Sequence, residues 1–139
     1  MAHEFHTTRK VEFVDTDMEG IVHFARFMVY METAEHEFLE SLDVSVSMEH
    51  DGRRIGWPRV SVTCDYKKPA RFGDMLDIHM RVLRKGSRSM TYAFRFTSNG
   101  RELAAGQVTS VCCELKPDGG IRPVEIPPII ADQIEESPG

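Results

Sequence analysis

Two aspartates, a glutamate and a glycine stand close together in Asp15-Thr16-Asp17-Met18-Glu19-Gly20, immediately before an apolar series that opens at Phe24. Gly20 permits a tight turn with a positive φ, and helical periodicity begins near Phe24. A carboxylate there lies by the positive end of a helix, where the first backbone N–H groups have no intrahelical partners. Such donors can hold a developing oxyanion, while the acid serves as nucleophile or as general base. Asp17 has a plainer reading as an Asx-turn or capping residue. Asp15 reads as a turn-former or supporting acid.

Other chemistries fit less well. The same residues match the start of a calcium loop, but the position that needs a bidentate Glu is Arg26. G-x-S-x-G, phosphate-loop and H-E-x-x-H patterns are all absent. His3 and His6 could hold no more than a stray metal in a mobile terminus. The cysteines, Cys64, Cys112 and Cys113, include an adjacent pair and no C-x-x-C, so buried reduced thiols are expected.

The elements that must position the acids follow from periodicity. A strand from Val11 to Val14 is expected to deliver them. Phe24, Phe27, Met31, Ala34, Phe38 and Leu42 recur at spacings of three and four, which predicts a helix from about Ala25 to Leu42 with one apolar face. Residues 43–54 read as a connection with a short helix near Ser47, broken by Gly52 and by Gly56-Trp57-Pro58. From Arg59 the period becomes two: Val60, Val62, Cys64 and Tyr66 alternate with polar residues, as do Leu76, Ile78, Met80 and Val82, then Tyr92, Phe94 and Phe96. Asn99-Gly100 marks a hairpin. A last strand is expected over about Leu103 to Leu115, and the final residues read as a frayed helix or a disordered tail. One long helix and several antiparallel strands bury the helix's apolar face by laying it across the sheet, an α+β arrangement in which the sheet wraps the helix. Apolar residues on the outer sheet face, with long edge strands, predict a homo-oligomer.

With 139 residues the chain is expected to be one domain over 1–139, its core at about 8–115 and a C-terminal extension at 116–139. Hydrophobic content of 41% and charged content of 28% suit a globular protein. No apolar run approaches the roughly 20 residues that span a bilayer, and no signal-peptide pattern is found. A cytoplasmic protein without membrane insertion is expected. The net charge of −5 is unevenly spread. Residues 1–60 carry 6 basic and 12 acidic side chains, 61–101 carry 9 and 3, and 102–139 carry 2 and 7. The acidic balance argues against nucleic-acid binding. The basic middle block either solvates strand edges and turns or grips a small polyanion.

The stretch Phe13-x-Asp15-Thr16-Asp17-x-x-Gly20-Ile21-Val22, followed by Phe27-x-x-Tyr30-x-Glu32-x-Ala34, closely resembles the hotdog-fold acyl-CoA thioesterases of the 4-hydroxybenzoyl-CoA thioesterase and tol-pal-associated type. The likeness continues through Tyr66-Lys67-Lys68-Pro69-Ala70-x-x-Gly73-Asp74-x-Leu76 and Ser87-Arg88-Ser89. It covers about Thr8 to Leu115. The resemblance implies a hotdog fold, an acyl-CoA substrate cleaved to free acid and CoA, and no metal or organic cofactor. It also implies a homodimer with sites at the subunit interface, commonly paired into a homotetramer. Asp17 matches the family's catalytic carboxylate, and the backbone N–H at or near Phe24 matches the donor to the thioester carbonyl.

A thioester carbonyl is activated and its thiolate leaves readily, so a carboxylate suffices for attack. Asp17 would form a mixed anhydride that water cleaves, or act as general base on water; both routes stay open. Gly20 reads as a backbone requirement. His23 stands one position before the histidine of many relatives and faces the acyl pocket, the interface or neither. Ala34-Glu35 replaces the Ala-Arg of many relatives. The phosphates of CoA suit Arg84, Lys85 and Arg88 with the hydroxyls of Ser87 and Ser89. Phe24, Phe27, Met28, Met31 and Trp57 suggest either an apolar or aromatic pocket or ordinary core. Two further readings are a non-catalytic acyl-thioester or partner-binding hotdog module, and a thioesterase acting on acyl-carrier protein.

Overall fold

The apolar series forms one long helix, α1 (Arg26–Ser41), in a computed structural model that describes residues 1–139. The strands are β1 (Glu4–Lys10), β2 (Met48–His50), β3 (Arg53–Gly56), β4 (Arg59–Tyr66), β5 (Met75–Lys85), β6 (Ser89–Ser98), β7 (Arg101–Val111), β8 (Cys113–Leu115) and β9 (Ile121–Pro123), and a short helix α2 (Pro128–Ala131) follows. A five-stranded sheet has the order β1-β5-β6-β7-β4, and a smaller one the order β2-β3-β8-β9. All neighbouring strands within the large sheet run antiparallel. Period-two alternation turns Leu76, Ile78, Met80, Val82, Tyr92, Phe94 and Phe96 inward, where they meet Phe27, Tyr30, Met31, Ala34 and Phe38 of α1 in one buried cluster. Each such large side chain contributes roughly 1.5–3 kcal/mol by leaving water. A Cβ on Gly106 would come within 2.7 Å of both Met31 Sδ and the Thr63 carbonyl, so this glycine lets the helix close onto the sheet. The result is the expected α+β hotdog arrangement. No helix is long and apolar enough to cross a membrane.

Several local expectations are corrected. The first strand is β1, not Val11 to Val14; Phe13–Asp15 is a single 3-10 turn. Pairing with β5 ends at Lys10↔Met75, and the Glu12 N–H then bonds the Asp15 carboxylate at 2.9 Å, which closes a turn instead of extending a ladder. No helix forms near Ser47. Strands β2 and β3 pair there as a hairpin, because Asp51 and Gly52 take positive φ values of 52° and 75°. The strand expected over Leu103 to Leu115 breaks at Cys112, where the chain passes from the large sheet into the small one. The Cys112 N–H bonds the Arg88 carbonyl at 2.7 Å, and the Cys112 carbonyl accepts from Val124 at 2.9 Å.

The tail is neither frayed nor loose: Ile130 and Ile134 are fully buried, and Lys85 Nζ donates to the carbonyls of Ala131 at 2.6 Å and Ile134 at 2.8 Å. All three cysteines are free thiols, and burial pushes Cys112 up to about 11. The outer sheet face is polar, not apolar as expected: Glu4, His6, Asp77, His79, Arg81, Arg95, Gln107, Thr63 and Asp65 lie on it by register. The exposed apolar residues Val29 and Val62 instead line the seam between α1 and β4. Strand β4 is exposed because it forms one edge of the large sheet.

Candidate active site

The acidic segment folds back on itself. Thr16 bridges Val22, the Asp17 N–H bonds the Ile21 carbonyl at 2.9 Å, and the Gly20 N–H bonds the Asp17 carbonyl at 3.0 Å. Gly20 has φ +79°, a conformation costly for any residue with a Cβ. The two acids come out of this turn differently.

Asp15 is 3% exposed. Its Oδ2 accepts the Glu12 N–H at 2.9 Å, and its Oδ1 accepts Arg26 Nε at 2.8 Å and Nη2 at 2.7 Å. Tyr30 brings its buried hydroxyl alongside without closing a bond. Burial alone would raise the Asp15 carboxyl, but the Glu12 N–H, with Tyr30 and Arg26, outweighs it and holds the group below the usual range. Asp15 therefore ties the turn to the first residue of α1.

Asp17 is half-buried, and its Oδ1 accepts the Glu19 N–H at 2.9 Å as an Asx-turn. Its Oδ2 has no partner in the chain. The carboxylate lines an open groove of about 620 Å³ with Phe24, Phe27, Tyr66, Lys67 and Arg71.

The start of α1 has no side-chain cap at Ala25. His23 Nδ1 accepts the Ala25 N–H at 3.2 Å, and the His23 carbonyl accepts the Arg26 N–H at 2.8 Å. The imidazole stacks on the Phe24 ring at 4.6 Å. These bonds leave the Phe24 N–H without an acceptor. The Phe24 carbonyl accepts the Tyr66 hydroxyl at 2.8 Å, so the end of β4 pins the helix start. Burial pushes the Tyr66 phenol up to about 12.

Thus Asp17, Gly20, His23 and Phe24 share one turn, while Arg84, Lys85, Ser87, Arg88 and Ser89 lie elsewhere. They occupy the β5–β6 connection, and at about 3.3 Å per residue β5 carries the chain roughly 30 Å from the groove end to that turn. Lys85 is engaged by the tail carbonyls. Arg88 lines a separate groove with His50, Arg53 and Arg122. The cations at the Asp17 groove are Lys67, Lys68 and Arg71, from the basic middle block of the chain. Their position within the Tyr66–Leu76 motif was the available signal. Of the apolar candidates, Phe24 and Phe27 line the groove, Met31 and Trp57 are core, and Met28 faces the seam between α1 and β4. Glu35, the acid in place of a cation, is buried and pairs with Arg59 on β4 while accepting Ser110 Oγ at 3.2 Å. Burial raises its carboxyl despite Arg59 and Ser110.

This fold and turn have known counterparts. A 1,4-dihydroxy-2-naphthoyl-CoA hydrolase of Synechococcus elongatus is 26% identical over 112 residues, covering 80% of this chain and 82% of the relative. An acyl-CoA thioesterase of Haemophilus influenzae is 25% identical over 118 residues, 85% of each chain. The solved structure of a gentisyl-coenzyme A thioesterase matches with a TM-score of 0.77 at 30% identity, over 92% of this chain and 98% of that one. The model of the thioesterase-like superfamily matches residues 11–134, which take in the acidic turn, α1 and four of the five strands of the large sheet. The chain belongs to that superfamily, with its hotdog fold.

Proposed function

We propose that this protein hydrolyses an acyl-CoA thioester to the free acid and CoA, with Asp17 as the acting carboxylate and the Phe24 N–H as donor to the carbonyl oxygen. Acyl-CoA thioesterase activity is supported at the level of the family. The observation that carries the residue-level reading is the pair of unused groups in one turn: Asp17 Oδ2 and the Phe24 N–H, both without partners in the chain. Attack by the carboxylate, or by water that it deprotonates, drives negative charge onto the carbonyl oxygen. A donor with no other bond meets that charge without first giving up a partner. Collapse of the adduct expels the CoA thiolate, and where Asp17 itself attacks, water then cleaves the resulting mixed anhydride to the free acid and restores the carboxylate. Gly20 keeps the turn tight, and His23 holds the helix start through Ala25.

The active unit under this reading is a dimer formed across β4. Running β4 antiparallel to its copy pairs an otherwise open edge and covers the Val29 and Val62 seam. A two-fold there turns the second copy end for end, which brings its Arg84, Ser87, Arg88 and Ser89 toward this chain's groove and the CoA phosphates. Lys67, Lys68 and Arg71 add positive potential at the groove itself. Phe24, Phe27 and Tyr66 give it an aromatic wall suited to an aromatic acyl group.

The experiment is acid release from short-chain, long-chain and aromatic acyl-CoAs, and from an acyl-carrier protein thioester, by the purified protein. Turnover of acyl-CoA, fastest for aromatic groups, is the result this reading predicts. CoA binding with no hydrolysis across the panel would identify a binding module, and hydrolysis of the carrier-protein thioester alone would move the substrate class.

A further inference from the structure

We propose that Glu4, His6 and His79 form a site for one first-row divalent transition-metal ion, of the Zn²⁺ and Cu²⁺ class, on the outer face of the large sheet. The site is independent of the thioester groove. Strand alternation puts Glu4 and His6 on the same face of β1, two residues apart. Antiparallel register sets His79 of β5 directly across from His6, a placement in which Cβ atoms lie about 4.5–5.5 Å apart.

The side chains follow the backbone. The His6 and His79 rings are stacked at 4.2 Å with an interplanar angle of 6°, and His79 Nε2 lies 2.9 Å from Glu4 Oε2. One ligand atom from each of the three residues falls within 4.8 Å of the others. An ion held at about 2.0–2.1 Å by nitrogen and oxygen spaces tetrahedral ligands roughly 3.3 Å apart. Closing that difference takes side-chain rotation alone, because both strands are already in register and all three groups reach solvent. Two imidazoles with one carboxylate select zinc or copper over calcium or magnesium, which take oxygen ligands.

The neighbours on that face pull in both directions. Arg81, across from Glu4, and Arg95, across from His79, oppose a cation; Glu102 draws Arg95 aside at 3.5 Å, and Asp77, across from Thr8 and diagonal to His6, offsets Arg81. His3 and His6, which the sequence offered only for a stray metal, are not the pair assembled, since alternation turns His3 to the opposite face.

The test is calorimetric titration of Zn²⁺ into the full-length protein free of any affinity tag, with far-UV circular dichroism to verify that each variant folds. One Zn²⁺ per chain is expected, with affinity weakened about tenfold or more by His79→Asn and by His6→Asn, less by Glu4→Gln, and not at all by His3→Asn. Acyl-CoA hydrolysis by the same variants is expected to stay at the wild-type level, which separates this site from the groove. Absence of stoichiometric binding, or binding unchanged in both His79→Asn and His6→Asn, would overturn the proposal. Loss on His3→Asn without loss on His79→Asn would overturn it too, by assigning the ion to the terminal pair.

Discussion

Asp15 is buried and holds Arg26 and the Glu12 N–H, whereas Asp17, two residues on, is half-buried, gives one oxygen to the Glu19 N–H and leaves the other free at the groove. Both come from one short acidic turn. The difference lies in what the chain folds over them. The 3-10 turn and α1 close on Asp15, while Gly20 swings the segment back so that Asp17 stays at the rim. A carboxylate engaged by a guanidinium and an N–H stabilises the loop but is poorly placed to attack anything. Its neighbour, lightly bonded, keeps one oxygen open to the groove, as the proposed reaction requires.

Changes at Asp15 sharpen the comparison most on the side of stability. Asp15→Asn strips Arg26 of its counter-charge; because Arg26 is partly exposed, the expected loss is roughly 2–3 kcal/mol, read by urea unfolding. The pH dependence carries the same signature. The folded-state pKa of Asp15 is depressed, so its contribution is complete above the unfolded value of about 3.9 and is lost as pH falls through the folded value. Glu35 has the opposite sign. Its folded pKa is raised, so stability declines as pH climbs from the unfolded value of about 4.3 through the folded one. Glu35→Gln is expected to flatten that decline in the pH profile of the denaturation midpoint, and an unchanged profile would count against it.

Smaller effects follow at the residues that shape the turn. Gly20→Ala puts a Cβ on a residue at φ +79° and is expected to cost about 1 kcal/mol, with turnover falling as Asp17 shifts. Tyr66→Phe removes the bond to the Phe24 carbonyl and should cost about 1 kcal/mol or less in thermal unfolding, with a modest fall in kcat. A Tyr66→Phe protein with kcat unchanged would show that β4 does not steady the oxyanion donor.

Much of this was legible in the chain. Helix α1 was readable because a period of 3.6 is a local property, and the acidic turn because Asp, Gly and an apolar series in that order admit few local structures. The first strand was misplaced because its end is set by β5, a partner 65 or more residues away that no local pattern reveals. The same reason hides the Glu35–Arg59 pair and the hold of Lys85 on the tail. The difference in burial between Asp15 and Asp17 was not legible, since burial depends on which residues fold over each acid. Arg84 to Ser89 belong with the site by their phosphate chemistry and by the family resemblance, while their roughly 30 Å separation from it within one chain is a matter of strand direction.

The central claim is that Asp17 acts and Asp15 holds. Its most direct test is kcat/KM for the best acyl-CoA substrate, measured together with the unfolding midpoint and oligomeric state, for Asp17→Asn. The account predicts a loss on the order of a thousandfold or more in kcat/KM with the midpoint and assembly unchanged. Hydrolysis at the wild-type rate in a folded Asp17→Asn protein would contradict it.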